Sequence, residues 1–378
     1  MKYMGSKRYM LTNGLGEALA AEVPKARRFI DLFTGSGAVA AFAATRWDVD
    51  VLASDLQKFA VALAASVICR DVVVNDPKTL EAWIGRARAR VNENERLTAA
   101  KELQEALRKR ALMDVVGQCR ELCSESGAGP IEMAYGGYYF SPQQAIWLDA
   151  LRATLPQRHE AKVVALAALI GTGSRCAAAP GHTAQPFQPT CTAGEFLLTC
   201  WSKDVVTTVM TEFNEIGRIA AKRKGQASVD DALAVAKKLM EGDLAFIDPP
   251  YSAVHYSRFY HVLETIASGT RVPVSGAGRY PPLEQRPISN FSIKSKAASA
   301  LRDLLQAISS KGARAVVTFP AGNASNGLSG KRVVEIASEF FHIDRETVTG
   351  RFSTLGGNRV NRAARQDSQE LILTLSPK

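Results

Sequence analysis

Asp248-Pro249-Pro250-Tyr251 places a carboxylate, two prolines and an aromatic ring in succession, and few chemistries need that set. The preceding run, Leu244-Ala245-Phe246-Ile247, is short and apolar and predicts a buried strand. The tetrapeptide is therefore expected at the carboxyl end of a strand, where open α/β sheets bind their ligands. Two consecutive prolines fix φ and remove two N–H donors, so the carbonyls of Asp248 and Pro249 are held in one direction. A carboxylate and a rigid carbonyl can together accept both hydrogens of one amino group, while Tyr251 offers a face to a flat ring. Such a set suits a planar amine better than a phosphate or a metal.

A second group, Asp31-Leu32-Phe33-Thr34-Gly35-Ser36-Gly37, follows the strand candidate Phe29–Phe33 and leads into a helix-prone run, Ala38–Ala44. A glycine turn after a first strand lets the backbone approach a ligand closely. It lacks the third glycine of the dinucleotide fingerprint and the Lys-Ser/Thr of a P-loop, and an ordinary strand–helix turn fits the same residues. Asp55 ends a second strand candidate, Val49–Asp55, at the place for a ribose-binding acid. Glycine turn and acid together point to an adenosine-containing cofactor. A third group is the basic arm Lys2-Tyr3-Met4-Gly5-Ser6-Lys7-Arg8, in which Tyr3 can stack and Lys7 can tether carbonyls or a carboxylate.

Lys2–Lys7, Asp31–Gly37 and Asp248–Tyr251 resemble motifs X, I and IV of the DNA adenine methyltransferases. Their order, with a long insert between I and IV, is similar to that of the alpha group of amino-methyltransferases. The resemblance covers about residues 1–68 and 222–374. It implies S-adenosylmethionine as methyl donor and an adenine flipped out of duplex DNA as acceptor, with Asp248, Pro249, Pro250 and Tyr251 as the catalytic set. Carried over by position, Tyr3, Lys7, Asp31, Phe33, Gly35 and Gly37 surround the methionine part of the cofactor. Asp55 accepts from the ribose hydroxyls and Asp231 lies near the cofactor's adenine; a helix N-cap is the alternative role for Asp231. No metal is implied.

The elements that must position these residues form the opening of a doubly wound α/β domain: strand, glycine loop, helix Ala38–Ala44, strand, acid, helix Phe59–Ile68. Ser228–Ala232 reads as a short third strand, Ala313–Phe319 as a later one, Val333–Phe340 as a helix, and Ser353–Thr374 as a polar loop closing in the strand Glu370–Thr374. The expected fold is α/β, a Rossmann-like doubly wound methyltransferase sheet with a mainly helical insertion domain. The catalytic domain is expected over 1–70 and 200–378, and the insertion, the candidate target-recognition region, over 71–199. Within the insertion, Leu80–Cys123 is amphipathic and helical, Gly127–Gly137 a loop, and Ser141–Leu155 a helix capped by Ser141 with Pro142 in its first turn.

The net charge of +10 favours a polyanionic partner without proving one, so the placement of charge decides more than its total. Arg175 and the loop bearing His182, Gln185 and Gln188 are candidates for reading base edges, since Arg and Gln can do so bidentately. Arg258, in the aromatic and basic run after Tyr251, can shape the base pocket or touch phosphate. Arg359 and Arg362, in a glycine-rich basic loop, can follow a phosphate backbone. Double-stranded DNA is thus the expected partner, with a cognate restriction endonuclease or defence-system subunit as a further candidate. The six cysteines form no CxxC pair, no apolar run reaches membrane-spanning length and no signal-peptide core is seen, so a reduced, cytoplasmic protein is expected. The alternatives are transfer to another planar amine (cytosine 4-amino, an RNA base or a protein glutamine) and an inactive DNA-binding subunit of a modification complex.

Overall fold

The computed structural model describes residues 5–351 and 367–378. They divide into two compact units. One comprises residues 5–71, 220–256, 288–351 and 367–378; the other takes in Val72–Ile219 and Ser257–Pro287.

The first unit is built on a mixed sheet of β1 (Arg28–Asp31), β2 (Asp50–Asp55), β3 (Gln226–Val229), β4 (Leu244–Ile247), β5 (Arg314–Pro320), β6 (Phe341–Arg351) and β7 (Asp367–Pro377). The spatial order is β3-β2-β1-β4-β5-β7-β6. β1 to β5 pair parallel, and β7 pairs antiparallel with β5 and β6. The central strands are apolar in their middle positions because both faces are covered. Ile30, Ala245, Ile247, Val317 and Leu373 enter one core with the helices Ala297–Ser309 and Gly330–Ser338. Phe29, Val51, Leu244, Phe246 and Val316 enter the other with Leu15–Glu22, Ala38–Arg46 and Lys58–Ile68. Strand order reverses between β1 and β4, and their register, Asp31 beside Phe246, brings their carboxyl ends together. A crevice at such a reversal is where doubly wound sheets bind ligands.

The second unit is mainly helical. His159–Cys176 packs on Val205–Gly217 so closely that a Cβ at Gly171 would meet Glu212 Oε2 at 2.4 Å. Ser141 caps Pro142–Ala153 as expected, accepting from the Gln144 N–H while the Gln144 side chain accepts from the Ser141 N–H. Cys119 and Cys123 are buried free thiols on Leu112–Ser124. No helix among the described residues is long and apolar enough to cross a membrane.

Three local expectations are corrected. The third strand is Gln226–Val229, starting before Ser228, and Asp231 caps the short helix Ala232–Ala236 that follows. Within the expected Gly127–Gly137 loop lies the helix Pro130–Tyr135. Its N–H groups at Ile131 and Glu132 are satisfied by the buried Asp149 carboxylate, at 3.0 and 2.8 Å, a tertiary partner that local sequence does not show. The C-terminal strand is Asp367–Pro377, longer than expected, and its neighbour Phe341–Arg351 was not expected at all.

Candidate active site

The carboxyl ends of β1, β2 and β4 carry the residues singled out from the sequence. Asp248 follows β4 directly, and Oδ1 is the occupied side of its carboxylate. Lys7 Nζ lies 3.1 Å from Oδ1, and Thr318 Oγ1, from β5, donates to it at 3.0 Å. Lys7 is also paired with Glu370 of β7 at 3.0 Å, and both residues are buried. Burial disfavours the Lys7 charge, but Asp248 and Glu370 together outweigh it and hold the ammonium well above the ordinary lysine range. Burial raises the Asp248 pKa, with Lys7 and then Thr318 pulling it back. Glu370 is raised by burial as well, against the pull of Lys7.

Among the described residues, nothing donates to Asp248 Oδ2 or to the Pro249 carbonyl. The next carbonyls are taken: buried Asn326 donates Nδ2 to Pro250 O at 3.0 Å and its backbone N–H to Tyr251 O at 3.3 Å. The Tyr251 ring is edge-on to Phe319, with centroids 6.4 Å apart, and its hydroxyl is hydrogen-bonded to Tyr256. A Cβ on Gly5, whose φ is +75°, would come within 3.1 Å of that hydroxyl. The N-terminal arm and the tetrapeptide are therefore fitted to each other at glycine.

Asp31 is buried at the end of β1, accepts the Phe33 N–H at 3.4 Å, and has no cation paired with it among the described residues. Burial first, and the Asp248 charge second, push its carboxyl up to about 7. Gly35 and Gly37 have φ of +49° and +72°, and a Cβ on Gly37 would meet the Ala64 backbone at 3.0 Å. The turn is thus closed by glycine for backbone reasons. Asp55 accepts from the Gly35 N–H and the Gln57 N–H, both at 3.0 Å; burial raises its pKa and these donors offset part of that. The buried side-chain oxygens Ser6 Oγ and Gln57 Oε1 have no hydrogen-bond partner among the described residues. Phe33 packs edge-on against Phe291 at 5.1 Å. An unpaired buried acid, a close-approach turn and orphaned polar atoms fit a polar, cationic ligand along this edge.

Asp231 accepts from the Leu233 and Ala234 N–H groups as a helix N-cap. Tyr3, Arg359 and Arg362 lie outside the described residues. In the helical unit, Arg175 is paired with Glu212 and with Glu215, so its charge is compensated locally. Gln185, Gln188 and Arg258 are exposed. Tyr280 links Arg258 to the loop beside Gln185: its hydroxyl bonds to the Ala184 carbonyl, and Arg258 Nε donates to that hydroxyl at 3.1 Å. His182 is a turn residue, its Nδ1 accepting from the Ala184 N–H at 3.3 Å. Buried His261 ties the same region to the Gly278 carbonyl at 3.0 Å. The aromatics after Arg258 thus pack inward while Arg258 faces out.

Glu370, Thr318, Asn326 and Tyr256 were not among the expected site residues. A faint signal exists for two of them: Thr318 is the polar member of an apolar strand, and Glu370 is the acid just before the apolar run Leu371-Ile372-Leu373.

Residues 3–115 match the family model for D12 class N6 adenine-specific DNA methyltransferase. A stretch of 70 residues is 43% identical to the Modification methylase LlaI of Lactococcus lactis subsp. lactis, covering 18% of this chain and 11% of that protein. Asp248–Tyr251 lies beyond the matched residues 3–115, so its geometry is independent of that match. The stretch that carries Lys7, the glycine turn and Asp55 is therefore similar to the D12 class N6 adenine-specific DNA methyltransferase family, in line with the resemblance of the two motifs that fall within it.

Proposed function

We propose that this chain is a site-specific DNA adenine methyltransferase of a modification system, transferring methyl from S-adenosylmethionine to the 6-amino group of an adenine flipped from duplex DNA. The observation that carries this reading is the pair of adjacent acceptors, Asp248 Oδ2 and the Pro249 carbonyl, free of donors among the described residues while Asp248 Oδ1 and the Pro250 and Tyr251 carbonyls are engaged. The helical unit, with Gln185, Gln188 and Arg258, is the proposed target-recognition region.

The amino nitrogen of adenine is a poor nucleophile because its lone pair is delocalised into the ring. Asp248 Oδ2 and the Pro249 carbonyl would accept its two hydrogens, favouring a pyramidal nitrogen and offsetting positive charge as it develops. Tyr251 would stack on the base, recovering part of the few kcal/mol lost on unstacking. S-adenosylmethionine, when bound, supplies a methyl group on a positively charged sulfur. Asp31 would hold its ammonium, the Gly35–Gly37 turn would admit its backbone-length part closely, and Asp55 would take the ribose hydroxyls. With Lys7 engaged by two carboxylates, its proposed part is to organise Asp248. Holding amine and donor in line supplies much of the acceleration.

Nucleotide-resolved sequencing of DNA from a host expressing the chain tests the reading. Methylated adenine at one sequence motif is expected; modified cytosine alone, or no modification with no heat of S-adenosylmethionine binding, overturns it.

Asp31 adds a pH dependence. An ammonium bound beside it stabilises the ionised carboxylate, so binding lowers a pKa that stands at about 7 in the free protein. Below that pH, binding must expel a proton, and affinity is expected to fall by about tenfold per pH unit. Calorimetry in buffers of different ionisation heat should show close to one proton released at mildly acidic pH and none above pH ~8. Asp31→Asn should abolish the release; proton release that persists in this variant would assign it elsewhere.

A further inference from the structure

Lys7 and Glu370 meet across almost the entire chain, with a sequence separation of 363 residues. Glu370 is buried on β7, opposite Pro320 of β5, and Thr318 lies on β5 opposite Ile372. The carboxylate therefore stands on a paired strand, where its position is set by the sheet. It accepts from Lys7 Nζ with both oxygens, at 3.0 and 3.4 Å, while the same ammonium reaches Asp248 at Oδ1, 3.1 Å away. Thr318 donates to that same Oδ1.

We propose, resting on the methyltransferase reading above, that Glu370 is a positioning residue: it holds the Lys7 ammonium against Asp248 Oδ1 and so keeps Oδ2 open for the target amine. An ammonium has three donors and a mobile stem. Confronted with Asp248 alone, it would settle across both carboxylate oxygens, where attraction is greatest, and compete with the amine. A second carboxylate draws it to one side. It also leaves the trio Lys7, Asp248 and Glu370 with net negative charge, which complements the positive charge that develops on the amine during transfer.

Glu370→Gln keeps the shape and removes the charge. Its turnover is expected to fall by about 10- to 100-fold, the scale of a small displacement of a reacting group, with the S-adenosylmethionine Kd within about threefold of wild type. The groups facing Asp248 are Lys7, Glu370, Tyr256 and Asp31. Neutralising Glu370 removes a repulsion and frees Lys7 to pair with Asp248 alone, so the acidic limb of the kcat profile should move to lower pH. In a Lys7→Gln background the same substitution should cost nothing further. If Glu370→Gln does not fold, Glu370→Asp, which retracts the charge by one methylene, carries the same expected loss of turnover.

Wild-type turnover and an unshifted acidic limb in the folded variant overturn the positioning role. So does a loss that is fully additive with Lys7→Gln. If the wild-type chain methylates no DNA, the methyltransferase reading fails first and the proposal falls with it.

Discussion

Asp248→Ala is expected to lower methyl transfer by at least about 10³-fold while the folded protein still binds its cofactor. Removing one preorganised group that stabilises developing charge costs roughly 10²–10³ in rate. Here the orientation of the amine is lost with it, and misplacement adds further. Survival of the fold follows from the ion pairs. Lys7 keeps Glu370 at 3.0 Å when Asp248 is gone, so no buried ammonium is stranded. The variant should also show a change at Asp31, whose carboxyl is raised in part by the Asp248 charge. Without that charge the Asp31 pKa drops, and the pH below which cofactor binding weakens should drop with it. Single-turnover transfer to DNA and calorimetric titration over pH measure both effects. A rate within tenfold of wild type, in a variant that binds cofactor normally, would remove Asp248 from the chemistry.

Parts of this arrangement were legible because they are local. β1, β2, β4 and β5 are apolar runs bounded by glycines or acids, and a strand buried on both faces has to read that way. The glycine turn and Asp55 follow from the strands they terminate. β6 was not legible for the opposite reason: along His342–Thr347 only Ile343 is even half-buried, and such a strand looks like a loop until β7 pairs with it. The helix Pro130–Tyr135 depends on Asp149, which belongs to another helix. The ionic centre was least legible. Lys7 was expected to meet a carboxylate or carbonyls, but nothing near residue 7 or residue 370 announces that these two, with Asp248, form one cluster. Sheet order β4-β5-β7 assembles it.

Lys7→Met is expected to destabilise the protein by about 3–5 kcal/mol near neutral pH, the usual result of removing one partner from a buried ion pair. Against a total stability of about 5–15 kcal/mol, this is a large fraction. Methionine fills similar space, so little of the loss comes from a cavity. The loss comes from Asp248 and Glu370, which would then face each other buried and without a cation. Burial already raises both pKa values, and Lys7 is what restrains them. In the variant they rise further. A carboxyl group raised in the folded state favours folding where it is protonated and loses that contribution as pH rises through its folded pKa. The destabilisation should therefore be greatest in mild alkali and shrink on acidification, as one carboxylate takes up a proton. Urea unfolding of wild type and variant at about pH 8 and about pH 5.5 measures this directly. The experiment needs no cofactor, which is its value. If Lys7 served chiefly a bound ligand, its loss would leave the ligand-free protein nearly as stable as before. A difference below ~1 kcal/mol, or one that does not change with pH, would show that the two carboxylates do not depend on Lys7. It would then return Lys7 to the methionine side of the cofactor, where the resemblance of its motif alone would place it.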